Sequence, residues 1–532
     1  MRTIHVWVAV CVCTIGTAQA QSSWVPPIGI PVPSFGLNEV APESPTGWAQ
    51  PAVGFYYVDA ASPAATDSSN PYGSTAKPRR TIPTNLPAGS VVELRGPYAR
   101  THSYPYHIVA SGTAEKPVFI RGSAVRPVVT RTFRVTGSYF IIENIDFAFQ
   151  NAGTSLLRLG APADHAALRH CDVRGNLSGG GIGIGSYNAS WFISDVLVYN
   201  NVIHDNGDVH ASFDQDIHGI TVNARVSRLW IVDNEIARNS GTGVQVNAGS
   251  AALQPTVNHI YLGRNVSHHN KQAGLSTKQS VDTIFSQNTI YGHRASNSSP
   301  GQGMNGKYGP ERAWYIFNHV FDNELGITVG STSGLGTGRE LYFVGNLIHD
   351  IHYVPNPYTT FNPNTGWANS AIMMADGANR YVVGNTIYDV DGGIYAPSGG
   401  AVMIANNIIS RVGGVGNHVF VEKAASAAVS TFHHNLLEGV TRIRWGGQTT
   451  SLNGFRQQVP TQGEACINAD PLFAAPESDD FRIENISPAR GAAAADFVYA
   501  RFFELYGLDI RTDIAGVTRP AGSWSLGVYE PR

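Results

Sequence analysis

The sequence predicts an all-β chain wound as a right-handed parallel β-helix. Three observations carry this reading. An asparagine recurs along most of the chain, each time just after a short apolar stretch. A second short apolar stretch follows each of them, as in "GITV" and "GVQV". Charged residues make up only 14%, well below the usual quarter, while glycine is abundant at 57. That composition suits stacked turns better than solvated helices.

The asparagines are Asn144, Asn201, Asn234, Asn265, Asn288, Asn318, Asn346, Asn385, Asn407 and Asn435, in fragments such as "VYNNVIH", "VDNEIAR" and "GNTIYDV". The gap between Asn144 and Asn201 spans two repeats, and Cys171 in "RHCDVRG" fills it. One coil of two or three short strands cannot bury its own apolar face, whereas stacked coils close a continuous core. Asparagines at equivalent turns then form an amide ladder along the stack. Cys171 suits the same slot as a small buried side chain. Propeller blades would need about 40 or more residues each, and sandwiches do not repeat one asparagine turn.

The first twenty residues, "MRTIHVWVAVCVCTIGTAQA", have one early arginine, an apolar run and the small-residue end Ala18-Gln19-Ala20. They read as a signal peptide cut before Gln21, which predicts a secreted or periplasmic protein. Residues 21–53 are Pro-rich and aperiodic, a linker or capping segment. The β-helix is expected over 54–440, with closing coils and a cap over 441–532. Past the signal only Cys171 and Cys466 remain, and a disulfide between them is allowed but not demanded. A net charge of −3 argues against a nucleic-acid partner, and no later stretch is long and apolar enough to span a bilayer. A monomer is expected.

Coils can be aligned on the glycine that opens the second strand: "GITVN" from Gly219, "GVQVN" from Gly243, "GLSTK" from Gly274, "GMNGK" from Gly303 and "GITVG" from Gly326. Strand side chains alternate. Ile220, Val244, Leu275, Met304 and Ile327 then point inward. Thr221, Gln245, Ser276, Asn305 and Thr328 form one outward column, and Asn223, Asn247, Lys278 and Lys307 the next. Two lysines one coil apart disfavour each other's protonation, and a neutral lysine can serve as a general base. Solvated lysines leaning apart are the plain alternative. His218, just before the glycine mark, is a catalytic candidate beside Lys278 and Lys307, and Lys271 lies on the same flank. Asp214 and Asp216 alternate and can share a calcium ion, or they merely cap the turn. Gln245, Asn247, Lys271, Asn305 and Arg294 are candidate substrate contacts. So is Trp367, in a long insertion with Tyr358 and Phe361, although such rings often only pin their own loop.

The passages "LPAGSVVELRGPYA", the Asn-x-aliphatic coils and the end "INADPLFAAPESDDFRIENISPARGAAA" resemble the pectate-lyase-like superfamily of β-helix proteins. The resemblance runs from about "GFYYVD" to the C-terminus. It implies a carbohydrate-active enzyme of polysaccharide lyase type acting on an acidic, uronate-containing polysaccharide. In such lyases calcium or a basic group neutralises the uronate carboxylate and a lysine or arginine removes the C5 proton. Lys278 is the position that maps onto that base, with Asp214 and Asp216 as ion ligands. The same group includes hydrolases, for which Asp214, Asp216 and Glu324 supply carboxyls, and binding proteins without chemistry.

Overall fold

The computed structural model describes residues 24–99, 106–186, 188, 190–211, 215–330, 339–355, 369–413 and 416–531. The chain is a parallel β-helix. Successive coils pair strand on strand in parallel along two long sheets of 27 and 13 strands, with one antiparallel pair, Ile443–Trp445 with Gln448–Thr450, near the C-terminal end of the larger sheet. In the 13-stranded sheet Val202 pairs with Glu235, Glu235 with Val266, Val266 with Thr289 and Thr289 with His319. Winding is in the right-handed sense that parallel crossovers take. The inward column is as the alignment places it: Ile220, Val244, Leu275, Met304 and Ile327 are register partners, and all are fully buried.

The amide ladder runs from Cys171 to Cys466. The Asn201 side chain donates to Asn234 (2.9 Å), Asn234 to Asn265 (3.0 Å), Asn265 to Asn288 (3.0 Å) and Asn288 to Asn318 (2.8 Å). The series continues through Asn346, Asn385, Asn407 and Asn435. Each rung follows a residue with positive φ, for example Asn200 (52°), Asp233 (58°) and Gln287 (54°). That left-handed step turns the chain and aims the next side chain along the axis.

Asn144 is not a rung. It holds the left-handed step itself (φ 56°), and the buried Ile145 takes the ladder place. In sequence the two positions look alike, because asparagine tolerates both. The cysteines sit at opposite ends of the ladder as free, buried thiols, so they form no disulfide. Burial pushes the Cys171 thiol up to about 12. A second ladder, five residues on, was not anticipated. Asn206 donates to Asn239 (2.9 Å) and Asn239 to Asn270 (2.8 Å), and the backbone N–H of Asn270 then donates to His293 Nδ1 (3.1 Å).

One outer face of the coils is covered by the chain's own ends. Ile30, Phe35, Leu37, Ala41 and Trp48 of the N-terminal segment are buried against outward residues such as Phe119, Leu197, Trp230 and Tyr261. The C-terminal helix Phe497–Tyr506 completes the cover with Val498, Tyr499 and Phe502. Trp24 Nε1 donates to Asp233 (2.8 Å), and the Arg169 guanidinium donates to the carbonyl of Gly36 (2.7 Å). A cavity of about 390 Å³ remains under this segment, lined by Glu39, Glu43, Arg121, Arg169 and Tyr199 among others. Its guanidiniums are already engaged by Glu93, Glu143 and main-chain carbonyls, so it is read as a gap in the cover. The polar column of Gln245 and Ser276 lies on another face of the coils.

Candidate functional site

The register places the two lysines as direct neighbours. Asn247 pairs with Lys278, Lys278 with Lys307 and Lys307 with Gly330. Two residues back, Thr221, Gln245, Ser276, Asn305 and Thr328 are partners in the same way. Ser276 Oγ donates to Asn305 Oδ1 (2.5 Å), and Thr328 Oγ1 donates to Gln302 Oε1 (2.7 Å). This column is thus cross-linked along the axis beside the lysines, and contrary to an outward, solvent-facing column Gln245, Ser276, Asn305 and Thr328 are buried.

Both lysines are half-buried. Lys307 Nζ donates to Ser299 Oγ (3.1 Å). Lys278 Nζ lies 5.9 Å from the centroid of the Tyr308 ring, within cation–π reach. The loop carrying Ser299 is itself held by Glu324, a buried carboxylate that accepts from the backbone N–H groups of Ala295 (3.0 Å) and Gly301 (3.0 Å). Glu324 therefore supports the partner of Lys307. Sequence reasoning missed Ser299 and Tyr308. Tyr308 directly follows Lys307 in "GMNGKYG", and that adjacency was the available signal.

His218 is buried at the edge of this column. The Thr242 backbone N–H donates to its Nδ1 (2.9 Å). Nε2 faces the Gln245 side-chain amide (2.5 Å) and Asp216 Oδ1 (3.7 Å). Gln272 Nε2 also donates to Asp216 (3.3 Å). Asp216 is exposed and takes positive φ (53°). Asp214 and Trp367 lie outside the described residues. Lys271 and Arg294 are tied into the corners of the coils. Lys271 is buried with Nζ on the Ala211 carbonyl, and Arg294 pairs with Asp322 (2.8 Å).

The turn that leads toward the next strand of this face, Ser370–Met374, holds a charged cluster not read from the sequence. His352 Nδ1 is 3.0 Å from Asp391 and Nε2 is 3.7 Å from Asp389. The hydrogen bond to Asp391, with the carboxylates around it, raises the His352 pKa. A raised folded-state pKa adds stability below the unfolded value of about 6.5 that is lost as pH rises through the folded value. His352→Gln should therefore lower the melting temperature most at mildly acidic pH, and the gap to wild type should close as pH rises above neutrality. Melting curves across that range check it, and a gap constant with pH contradicts it.

No family model matches this chain, and neither does any curated protein sequence. Solved structures do match in overall course. Pectate lyase Pel9A is 13% identical, covering 90% of this chain and 96% of that one, with a TM-score of 0.36. The A-module of the Azotobacter vinelandii mannuronan C-5 epimerase AlgE6 is 15% identical over 72% of this chain and 91% of that one, with a TM-score of 0.41. The GH136 lacto-N-biosidase from Eubacterium ramulus is 13% identical over 78% and 68%, with a TM-score of 0.40.

Proposed function

We propose that the chain is a carbohydrate-active enzyme that cleaves a uronate-containing polysaccharide by β-elimination, with Lys278 as the base. The observation that carries this is the direct pairing of Lys278 with Lys307 beside a cross-linked polar column. In the reaction Lys278 Nζ takes the C5 proton. The freed electron pair becomes the C4–C5 double bond as the C4–oxygen bond breaks. The departing oxygen takes a proton from water, and the lysine returns its own to solvent. Lys307, held by Ser299, faces the uronate carboxylate, where developing charge needs a cation. Asn247 and Asn305 flank the sugar. His218 is a positioning residue rather than the base, because Nδ1 already accepts a backbone hydrogen bond and Nε2 is packed against the Gln245 side-chain amide.

A hydrolase needs two free carboxyls about 5 to 9.5 Å apart. Glu324 is spent on backbone N–H groups, which leaves Asp216 as the described carboxyl beside the column. Calcium belongs to the same proposal in a limited form. Such an ion takes about six to eight oxygens, and Asp216 is one donor of the fitting type. When bound beside Asp214 and Asp216 it would neutralise the substrate carboxylate. Activity is then expected to fall in excess chelator and to return with added calcium. Full activity in chelator assigns that task to Lys307 alone.

The test of the proposal is a screen against acidic polysaccharides that follows ultraviolet absorbance. An unsaturated uronate end that accumulates on one of them is the expected result. Saturated reducing ends without absorbance would overturn it.

A further inference from the structure

The turn that opens on the lysine edge, three coils nearer the N-terminus, carries Trp191 and Phe192. They are 41% and 55% exposed, two large rings side by side in the open. Ile193 pairs with Val226, so Phe192 and Arg225 are neighbours on successive coils. The Arg225 guanidinium lies 5.4 Å from the Phe192 ring centroid. Its Nε is buried without a hydrogen-bond partner. Among the described residues Arg225 forms no ion pair, whereas other outward arginines of the coils do: Arg228 with Asp195, Arg238 with Asp205, Arg264 with Asp233 and Arg312 with Asp282. An arginine set on a ring, with no carboxylate of its own, beside an exposed indole, matches one chemistry well. The indole takes the apolar face of a sugar and the guanidinium takes its carboxylate.

The register connects this cluster to the lysines. Ile184 pairs with Val222, Val222 with Val246 and Val246 with Thr277, so Gly185, Asn223, Asn247 and Lys278 follow one another along a single edge. At about 4.8 Å per coil the Trp191 turn is roughly 14 Å from Lys278 along the axis, and the Arg225 turn roughly 10 Å. The intervening coil carries the short 3-10 helix Ala251–Thr256 on its turn. A glycan joining the two places would run inside it, along the half-buried Asn223 and Asn247.

We propose that Trp191, Phe192 and Arg225 form a distal subsite for a second uronate unit of a polysaccharide lying along the helix axis. The proposal rests on the reading of the lysine edge as the reacting centre. The test uses the full chain carrying Lys278→Ala, which holds substrate without turnover, in affinity electrophoresis through gels containing polygalacturonate or alginate, with dextran as the neutral control. Retardation in at least one acidic gel and none in dextran is expected. Adding Trp191→Ala or Arg225→Gln should weaken that retardation by about tenfold, the size of one good ring or charge contact. Trp191 is exposed and Arg225 half-buried, and unchanged melting temperatures verify the fold of each variant. Equal retardation of all variants, or none of the parent protein in either acidic gel, overturns the subsite. If the wild-type protein yields no unsaturated ends while Trp191→Ala still loses retardation, the elimination reading fails and the subsite stands.

Discussion

Lys278→Ala should lower turnover on the true substrate by about 10²–10⁴-fold, the range that a positioned general base contributes. The fold should be unaffected, since the side chain leaves the core at the strand edge. Two effects compete for the charge on this lysine. The Tyr308 ring favours the ammonium by about 0.5–1 kcal/mol. A second ammonium one coil away opposes it by about 3 kcal/mol at the effective dielectric of a protein surface. Lys307 is the one anchored to Ser299, and in the proposed mechanism Lys278 is the one that acts as the base. Lys278→Arg should not restore activity, because a guanidinium stays protonated. Lys307→Ala should weaken binding and slow the reaction together. A folded Lys278→Ala protein with near wild-type rates would move the search to Asp214, Asp216 and His218.

Asn288→Ala should be far costlier than Asn144→Ala. The Asn288 Oδ1 accepts from both the backbone N–H and the side-chain amide of Asn265, each at 3.0 Å. Its own amide donates to the Leu262 carbonyl (2.9 Å) and to Asn318 (2.8 Å). All of these groups are buried, and each donor left unpaired costs about 1–3 kcal/mol. Alanine removes the acceptor for two donors at once and restores neither. Asn144→Ala is the internal comparison, because that side chain sits beside the ladder and caps the carbonyl of Ser123 (2.6 Å) at a half-buried turn. Denaturant midpoints for the two variants should differ clearly, with Asn288→Ala the lower. Equal midpoints would contradict the ladder's energetic role.

The coil repeat was legible because each coil must solve the same problem with local means. A left-handed step, a rung and two short apolar strands leave a periodic trace. The lysine pairing was legible for the same reason: once the glycine marks are aligned, register follows from the repeat. What lies between coils was not. Glu324 reads as a free acid in sequence, yet the path of residues 295–301 brings two backbone N–H groups onto it. Arg294 and Lys271 align with the site flank, but corner geometry turns them onto Asp322 and the Ala211 carbonyl. The covering role of residues near Ile30 and Phe502 depends on contacts across more than two hundred positions, which no local pattern records. Asn144 shows the opposite failure, where a true local pattern was read one residue out of phase.

The central claim is that the glycosidic bond breaks by elimination at the lysine edge. Digestion of the active polysaccharide in ¹⁸O-enriched water, followed by mass spectrometry of the products, tests it directly. Elimination adds no water, so the fragments should carry an unsaturated end, lack the mass of one water relative to hydrolysis products, and incorporate no label in the cleavage step. Saturated fragments that each carry one heavy oxygen would contradict the account and assign the cleavage to hydrolysis.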